Sequence, residues 1–576
     1  MKYSNIKKII YLIPVNKKKE VLYLILFMFL GIILEMVGIG VIIPGLSMIL
    51  NPGVYKTYPI AQNGLKFIGN PSQSTLIFLV LSFFIIIYFI KFIFFIFLTW
   101  KQNNFSNAIN LSISQELFKG YLASPYSFHL NKNSSQLLRI IQNDVGAFFG
   151  MMQAIIIIAI EMTMLIGISL VLIISEPFGT ILIVSFFLIF GIIFQRLIKG
   201  KLLKFGKNKQ YYGGLIYQSL LQGFGAVKDV KLLGREFFFE NEFKKNNIIF
   251  TKNNIKINIL NVLPRPYLEF ISVVGLSIMI LVLTKNGENL ITLVPTLGVF
   301  LAASFRMIPS INRIMSSMQV IRVTKISIDT LYDELVQIRL TDTSQPVEVL
   351  INSGFKNKIS IIDVSYKYPN TDKNILSKIN LEIEFGKSIG IVGPSGSGKS
   401  TLVDLILGLL TPTKGMILVD NQNIQNNLRA WQKNIGYVPQ NIFLTDDSIK
   451  KNVAFGIPEN EIDNNALWSA LKSSQLNDYV LNLPDGVNTF VGERGVRLSG
   501  GQRQRIGIAR ALYHNPNVLV FDEATSALDS KTELDFMQAV DQLKGIKTLI
   551  IIAHRISTLS NCDKIISIKD EAVIFL

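Results

Sequence analysis

A chain of 576 residues is longer than one ordinary hydrophobic core, so two or more domains are expected, and its single cysteine, Cys562, excludes an internal disulfide. Hydrophobic residues make up 49% of the chain, and the apolar excess lies almost wholly before residue 310, which predicts a membrane half followed by a soluble half. The net charge of +17 does not call for a nucleic acid partner, because Lys and Arg crowd into the N-terminal tail and two loops between apolar segments, as is typical of the cytoplasmic side of membrane proteins.

Residues 1–325 are predicted to form a transmembrane domain. A helix needs about twenty apolar residues to cross ~30 Å of hydrocarbon. Six segments are long enough: Val21–Leu50, Leu76–Trp100, Gly146–Ile174, Phe178–Ile198, Ile259–Leu283 and Leu290–Ile308. The lysine-rich loops 101–145 and 199–258 are expected in the cytoplasm, and the outer segment 51–75 either rests on the membrane surface or forms a plain loop.

Charged residues inside or near these spans indicate what the domain could bind. One charge in mid-span costs ~2.5–3.5 kcal/mol on insertion, so it usually faces a cavity or a partner. Arg265 and Arg306 could line a basic cavity, and Lys91 could do so too unless it reaches the interface. The alternative is local neutralisation, for which Arg265 and Glu269 have the i, i+4 spacing. The other acidic residues in the spans are Glu35 and Glu161.

The range 326–358 is predicted to be a linker, and 359–576 an ATP-binding domain organised around one glycine-rich loop. The loop fits G-x-x-x-x-G-K-[ST] and lies between an apolar strand and a helix, which disfavours a plain Gly/Ser turn. Its backbone N–H groups could surround phosphates, Lys399 could reach the outer phosphates, and Ser400 could hold Mg²⁺. The predicted loop comprises Gly393, Pro394, Ser395, Gly396, Ser397, Gly398, Lys399, Ser400 and Thr401.

Polar side chains follow three further predicted strands of this domain. Asp522 could hold Mg²⁺ directly or through water, and Glu523 could orient or deprotonate the attacking water. His554 is expected at the γ-phosphate, although a histidine after a strand, taken alone, is more often structural. Gln440 could sense Mg²⁺ and the attacking water. Upstream, Tyr368 could stack on an adenine ring, although a half-buried strand tyrosine is the alternative.

A second glycine-rich segment opens a basic helix downstream of the phosphate loop. It comprises Ser499, Gly500, Gly501 and Gln502. Such a helix N-terminus can bind an anion. If this segment and the phosphate loop cannot reach the same ATP within one chain, two chains must pair head to tail, each capping the nucleotide of the other. The sequence therefore predicts a homodimer.

The ordered set of motifs resembles the ATPase of ABC transporters. The Walker A loop corresponds to 393–401, the LSGGQ signature to 498–502, and the Walker B carboxylates to Asp522 and Glu523. Tyr368, Gln440, Ser526–Asp529, His554 and the exporter-type loop Thr489–Gly495 complete the set. The resemblance covers the whole chain and implies an α-helical membrane domain with six transmembrane helices plus an α/β P-loop NTPase domain, as in half-size exporters that act as homodimers with ATP and Mg²⁺.

Within that family the chain is most similar to PglK-type flippases of bacterial lipid-linked oligosaccharides, through residues 51–75, 223–231 and 264–269. In those flippases cavity cations are implied to receive the pyrophosphate of the lipid, a role that would fall to Arg265, Arg306 and Lys91. The resemblance predicts ATP-driven flipping of a polyprenyl-pyrophosphate glycan across the bacterial inner membrane, with the ATP-binding domain in the cytoplasm. Another lipid, a drug or a peptide is the alternative cargo. A soluble ATPase factor, which six spans disfavour, and a nucleotide-gated channel are alternatives from other classes.

Overall fold

The computed structural model describes residues 5–40, 73–175, 177–285, 290–341, 355–369, 371–524, 540–553 and 559–576. Most of the predicted outer segment, the Ser526–Asp529 stretch and His554 lie outside these ranges. The chain divides into two compact units, the first made of Met1–Ser124 and His129–Thr343, the second of Pro125–Phe128 and Ser344–Leu576.

The first part of the chain is helical throughout the described residues, as its long apolar runs predict. The helices are α1 (Asn5–Leu12), α2 (Lys18–Gly40), α3 (Gln73–Ala123), α4 (Tyr126–Asn131), α5 (Ser134–Arg139), α6 (Val145–Ser175), α7 (Pro177–Gly225), α8 (Val227–Leu233), α9 (Glu236–Val262), α10 (Pro264–Lys285) and α11 (Leu290–Thr341). A π-helical turn, Ile140–Asp144, separates α5 from α6.

Four helical stretches in the described residues are long and apolar enough to cross a membrane. They are Val15–Gly38, Ser74–Ala123, Ser134–Leu170 and Glu236–Ile278. The remaining two predicted spans, Phe178–Ile198 and Leu290–Ile308, lie within α7 and α11. The first unit therefore has the helical character predicted for a membrane domain, and the count of six spans stays a prediction.

The last helix extends further than hydropathy indicates. Helix α11 continues to Thr341, so residues 326–341 of the predicted linker are helical and belong to the first unit. Leu331 and Leu335 of this stretch are completely buried. Arg339 donates from Nε and Nη2 to the carboxylate of Glu116 on α3, at 2.6 and 3.0 Å. Packing and ion pairing thus maintain the helix beyond its apolar part.

The second unit is an α/β domain. Its strands are β1 (Lys358–Tyr366), β2 (Leu376–Glu384), β3 (Ser388–Val392), β4 (Lys414–Val419), β5 (Gln422–Asn423), β6 (Ile435–Val438), β7 (Val518–Asp522), β8 (Thr548–Ile552), β9 (Lys564–Lys569) and β10 (Ala572–Phe575). Its helices are α12 (Lys399–Ile406), α13 (Leu428–Lys433), α14 (Ile449–Val453), α15 (Asn464–Ser473), α16 (Asn477–Leu481) and α17 (Gly500–Leu512).

Two sheets form the framework of this unit. An antiparallel sheet has the order β2-β1-β4-β5, and a six-stranded sheet has the order β10-β9-β3-β8-β7-β6. In the larger sheet β9, β3, β8, β7 and β6 are parallel, and only the edge strand β10 is antiparallel. Every residue of β3, β7 and β8 is buried, which explains their uninterrupted apolar sequences. The carboxyl ends of these strands meet at one edge, where ligands bind in such sheets.

Candidate nucleotide site and membrane cavity

The phosphate loop connects β3 to the N-terminus of α12, as the motif predicts. Gly393 and Gly398 have φ values of 149° and 101°, a region that favours glycine. A Cβ atom on Gly393 would lie 2.5 Å from the carbonyl oxygen of Ile568 on β9, so the loop also needs glycine there for space. The backbone therefore turns sharply at the sheet edge and directs the helix N-terminus toward a potential anion.

Two side chains in this loop suit a phosphate ligand. Lys399 is buried, and its Nζ donates to the carbonyl oxygens of Gly393 and Pro394 at 2.8 and 3.0 Å, which keeps the ammonium against the loop. The hydroxyl of Ser397 is buried and has no hydrogen-bond partner among the described residues. A buried hydroxyl without a partner is costly, and a phosphate oxygen would supply one. The loop thus fits a nucleotide phosphate.

The carboxylates of Asp522 and Glu523 lie at the end of β7, and β8 separates β7 from β3, the strand that leads into the phosphate loop. Asp522 is buried, and the hydroxyl of Tyr437 on β6 donates to its Oδ2 at 3.4 Å. Burial, followed by the charge of Glu523, raises the pKa of Asp522, whereas the Tyr437 bond and Lys399 oppose the rise. A bound cation would stabilise the ionised form of these two neighbouring carboxylates.

Gln440 and Glu523 lie in direct contact. The Nε2 of Gln440 donates to Oε2 of Glu523 at 2.6 Å, across 83 positions of sequence. Glu523 has a φ of 51°, and its backbone N–H donates to the carbonyl oxygen of Ile552 on β8 at 3.1 Å. The structure therefore brings together two of the three predicted catalytic residues, and His554 lies outside the described residues.

A metal at this edge would have few protein ligands. Ser400 is exposed at the start of α12, and Asp522 is the last residue of β7, at the same edge of the parallel sheet. Within the described residues no group of three or more His, Cys, Asp or Glu side chains could hold a metal ion. Mg²⁺ typically takes one or two protein ligands, with water and substrate phosphates supplying the rest. Ser400 and Asp522 fit that arrangement. Gln440, the third predicted ligand, donates its side-chain N–H to Glu523, which follows Asp522 in the chain.

The predicted adenine contact lies beside the phosphate loop. The hydroxyl of Tyr368 is 3.1 Å from Oγ1 of Thr401, the last residue of the loop motif. Its half-buried ring contacts Tyr366 edge to face, with the ring centroids 5.2 Å apart. Tyr368 thus presents an aromatic surface close to the site where the phosphates would lie.

The signature segment forms the N-terminus of α17. Ser499 accepts from the backbone N–H of Gln502 at 3.2 Å, and the Gln502 side chain accepts from the Ser499 N–H at 2.8 Å. This capping box fixes the start of the helix, with Gly500 and Gly501 in its first turn. Across the described residues, no hydrogen bond or ion pair joins this segment to the phosphate loop.

The membrane unit contains a cavity of about 450 Å³ between α2, α3, α6 and α11. Its lining is largely apolar, and we call it the polar cavity after four polar residues that also line it: Lys91, Gln102, Glu161 and Arg313. Half-buried Lys91 lines it, with Nζ 5.1 Å from the ring centroid of Tyr88. Glu161, with only 7% of its surface exposed, pairs with Arg313 through Nε and Oε1 at 2.5 Å. Gln102 also lines the cavity, and its buried Nε2 has no partner among the described residues.

The other two residues predicted to contact the substrate are Arg265 and Arg306. Arg265 pairs with Glu269 at 3.0 Å, one helical turn away, and both side chains are more than half exposed. The structure thus shows the local pair that the spacing suggested, and Arg265 is not among the residues that line this cavity. The side chain of Arg306 lies outside the described part of the chain.

Comparison with known proteins agrees with this arrangement. Residues 376–526 match the ABC transporter family, and residues 21–305 match the ABC transporter transmembrane region. The chain belongs to the ABC transporters. It carries one membrane region followed by one ATPase, which is the domain order of half-size exporters.

Several relatives of the exporter are named for lipid transport. It is 29% identical to an ATP-dependent lipid A-core flippase of Cupriavidus pinatubonensis, over 80% of this chain and 78% of that protein. The corresponding flippase of Ralstonia nicotianae is 28% identical, over 81% and 79% of the two chains. A Staphylococcus aureus protein named provisionally for multidrug export is 41% identical, but over only 42% of this chain and 41% of that one.

The fold of the exporter matches a solved structure. A bacterial Atm1-family ABC exporter with ATP bound has a TM-score of 0.72 and 23% identity, covering 96% of this chain and 94% of that one. This likeness shows that the fold is an ABC exporter fold.

Sequence reasoning missed several polar residues of the exporter. Tyr437 of β6 lies three residues before Gln440, and this spacing is the sequence signal that could have placed it at the same sheet edge. Asp404 lies on the helix after the phosphate loop, where burial and the charge of Asp522 raise its pKa to about 6. Gln102 and Arg313 fall outside the predicted apolar spans, so no hydropathy signal pointed to a role in the membrane cavity.

Proposed function

We propose that this exporter uses ATP to flip an anionic glycolipid, a polyprenyl-pyrophosphate-linked oligosaccharide, across the bacterial inner membrane. The observation that carries the proposal is the polar cavity of the membrane unit, which Lys91, Arg313 and Glu161 line among the described residues. The relatives named as lipid A-core flippases support a glycolipid as the class of cargo.

The charges in the cavity favour an anionic ligand. Among the described residues that line it are two cations, Lys91 and Arg313, and the carboxylate of Glu161, which Arg313 binds. The amide of Gln102 adds a buried donor, which a phosphate oxygen would satisfy. Burying an unpaired ionised group in an apolar medium costs tens of kcal/mol in idealised estimates. A cavity that replaces lost hydration with donors would reduce that barrier for a pyrophosphate headgroup.

The apolar side of the same cavity suits a lipid. Met28, Ile32 and Leu98 line it together with the polar residues. A ligand with both a charged head and a hydrocarbon part would therefore find complementary surfaces in one place. A hydrophobic cation, as expected for drug export, would meet repulsion from Lys91 and would have to displace Arg313 from Glu161.

The nucleotide site would supply the driving force. Lys399 and the backbone of the phosphate loop would hold the phosphates, and Ser400 and Asp522 would hold Mg²⁺, which neutralises charge on the transferred phosphoryl group. Glu523 would orient the attacking water, with Gln440 and His554 beside it. Transport also requires that cargo binds the inward and outward states with different affinity.

The proposed assembly is a homodimer in which the signature helix of one copy caps the nucleotide of the other. Large apolar side chains around α8 support a partner, because Phe224, Leu232 and Phe237 are 75%, 79% and 72% exposed in the single chain. Such a patch usually marks a contact with another protein surface. The ATP-binding domain would lie in the cytoplasm, as the lysine-rich loops indicate.

The test is reconstitution of the purified exporter in liposomes with a fluorescent polyprenyl-pyrophosphate oligosaccharide, scored by the fraction that becomes accessible on the opposite leaflet. ATP-dependent flipping is expected, and Glu523→Gln should bind ATP yet hydrolyse it about 100-fold more slowly. Lys91→Gln should reduce flipping about tenfold or more, whereas Lys101→Gln on the same helix, which does not line the cavity, should leave it unchanged.

Two outcomes would contradict the proposal. One is wild-type flipping by Lys91→Gln at normal protein levels. The other is stimulation of ATPase activity by hydrophobic cations but not by the glycolipid, which would favour drug export instead.

A further inference from the structure

The segment that follows Gln440 packs directly on the signature helix α17. We call residues 441–445 the Gln440 loop. Ile442 of this loop lies so close to α17 that a Cβ atom on Gly507 would be 2.4 Å from its Cδ1 atom. Ile442 also packs against both neighbouring apolar clusters, one under the parallel sheet and one around α14 and α15. The Gln440 loop is therefore in close contact with α17, and the two cannot shift past each other without repacking.

One arginine of α17 holds the backbone of the Gln440 loop. Nη1 of Arg510 donates to the carbonyl oxygen of Phe443 at 2.9 Å. Its Nε and Nη2 donate to the backbone oxygen and to Oδ1 of Asn452 on α14, at 2.8 and 3.2 Å. The guanidinium also lies over the ring of Phe455, 4.5 Å from the centroid. All three of its nitrogen atoms thus have an acceptor, and among the described residues no carboxylate pairs with Arg510.

Asn452 holds the same loop two residues further along. Its side chain is completely buried. Oδ1 accepts from the backbone N–H of Thr445 at 3.0 Å, and Nδ2 donates to the carbonyl oxygen of Thr445 at 3.0 Å. Arg510 therefore reaches the loop directly at Phe443 and through Asn452 at Thr445. A hydrogen-bonded network whose members all have partners makes this part of the backbone rigid.

The fixed part of the loop begins only three residues after Gln440, whose Nε2 donates to Oε2 of Glu523 at 2.6 Å. Three residues of chain span at most ~11 Å, so a shift of the backbone at Phe443 would move Gln440 as well. Arginine suits this task because its planar fork presents several donors in fixed directions, whereas the ammonium of lysine is a single point on a flexible stem.

We propose that Arg510 is a positioning residue for ATP hydrolysis, which holds Gln440 against Glu523 by fixing the Gln440 loop to α17. Its hydrogen bonds end on Phe443 and Asn452, so it acts on the reaction only through them. The inference rests on the proposed role of Glu523 in orienting the attacking water. A residue that aligns reacting groups affects the chemical step more than the binding of ATP.

The test measures kcat and KM for ATP with the full-length exporter in liposomes. Arg510→Lys keeps the charge but loses the planar set of donors, and it should lower kcat about tenfold while KM changes less than twofold. The matched control is Arg505→Lys on the same helix. Nη1 of Arg505 donates to the carbonyl oxygen of Gln475 and not to the Gln440 loop, so this variant should leave both constants unchanged.

A double-mutant cycle separates positioning from a general structural role. Gln440→Ala should itself lower kcat, and adding Arg510→Lys should lower it less than twofold further, because the side chain through which Arg510 acts is already absent. Gly507→Ala perturbs the same contact independently, since its Cβ would displace Ile442. It should also lower kcat, and it too should add little to Gln440→Ala. Binding of a fluorescent ATP analogue is measured for each variant, so that only folded samples are compared.

Wild-type kcat in both Arg510→Lys and Gly507→Ala would overturn the proposal, and so would an undiminished kcat in Gln440→Ala. Effects that multiply in the double variants would also overturn it, because Arg510 would then serve folding alone. Glu523→Gln distinguishes this failure from that of the proposed function. If Glu523→Gln hydrolyses ATP at the wild-type rate, the role of Glu523 is wrong and the inference fails with it; if only Glu523→Gln is slow, the inference alone is wrong.

Discussion

Replacing Asp404 by asparagine should stabilise the ATP-binding unit at neutral and alkaline pH. Asp404 lies on α12 behind the phosphate loop, where burial and then the charge of Asp522 raise its pKa from 3.8 to about 6. Such a rise corresponds to about 3 kcal/mol of unfavourable free energy in the ionised state. Asp404 is only partly buried, so solvent screening reduces the expected gain to about 1–2 kcal/mol.

The dependence on pH follows from the direction of the shift. The pKa of Asp404 is higher in the folded than in the unfolded protein, so its favourable contribution is complete below pH 3.8 and is lost as pH rises through about 6. The advantage of Asp404→Asn over the wild type should therefore be full above about pH 6, decline below it and vanish near pH 4.

The assay is urea unfolding of the purified exporter in detergent, followed by tryptophan fluorescence. Trp431 is a suitable reporter, because its indole N–H donates to the carbonyl oxygen of Ile406 at the end of α12, at 2.7 Å. Asp372→Asn, at an exposed position of the same unit, is the control and should change nothing. The reasoning is refuted if Asp404→Asn is no more stable than the wild type at pH 8, or if its advantage is independent of pH.

Two further predictions concern the membrane unit, and thermal unfolding in detergent measures both. Arg313→Gln should lower Tm more than Glu161→Gln, because it leaves the buried carboxylate of Glu161 without its cation. The guanidinium of Arg313 is half exposed, so water can hydrate it when Glu161 is replaced. The double variant should recover most of the lost Tm, and equal effects of the two single variants would contradict the prediction. Gly206→Ala should destabilise by about 1–3 kcal/mol, since its Cβ would lie 2.8 Å from the carbonyl oxygen of Val323, but Gly200→Ala on the same helix meets no atom within 4 Å and should stabilise by up to about 1 kcal/mol. A destabilising Gly200→Ala would show that helix propensity does not decide the result there.

Local patterns were sufficient for the parts of the molecule that depend on neighbours in sequence. The phosphate loop, the strand that ends in Asp522, the capped signature helix and the Arg265–Glu269 pair all depend on residues a few positions apart. Uninterrupted apolar strands are typical of a buried parallel sheet, and the carboxyl ends of such strands meet at one edge.

The end of the last membrane helix was less predictable, because hydropathy detects lipid-facing segments and not helices that pack on other helices. Residues 326–341 are polar enough to read as a linker. They are helical because Leu331 and Leu335 are buried and Arg339 binds Glu116, which is distant in sequence.

The amino-acid sequence by itself determined that this is a two-unit chain with an apolar helical part and a phosphate-binding ATPase, because those features arise from short motifs and periodic patterns. Only the tertiary structure decided which charges meet. Glu161 pairs with Arg313, which is 152 positions away in the sequence, and Gln440 donates a hydrogen bond to Glu523, which is 83 positions away. Contacts of this kind depend on how helices and strands pack. Packing brings together residues that are distant in sequence, so the spacing of these residues does not predict the contact.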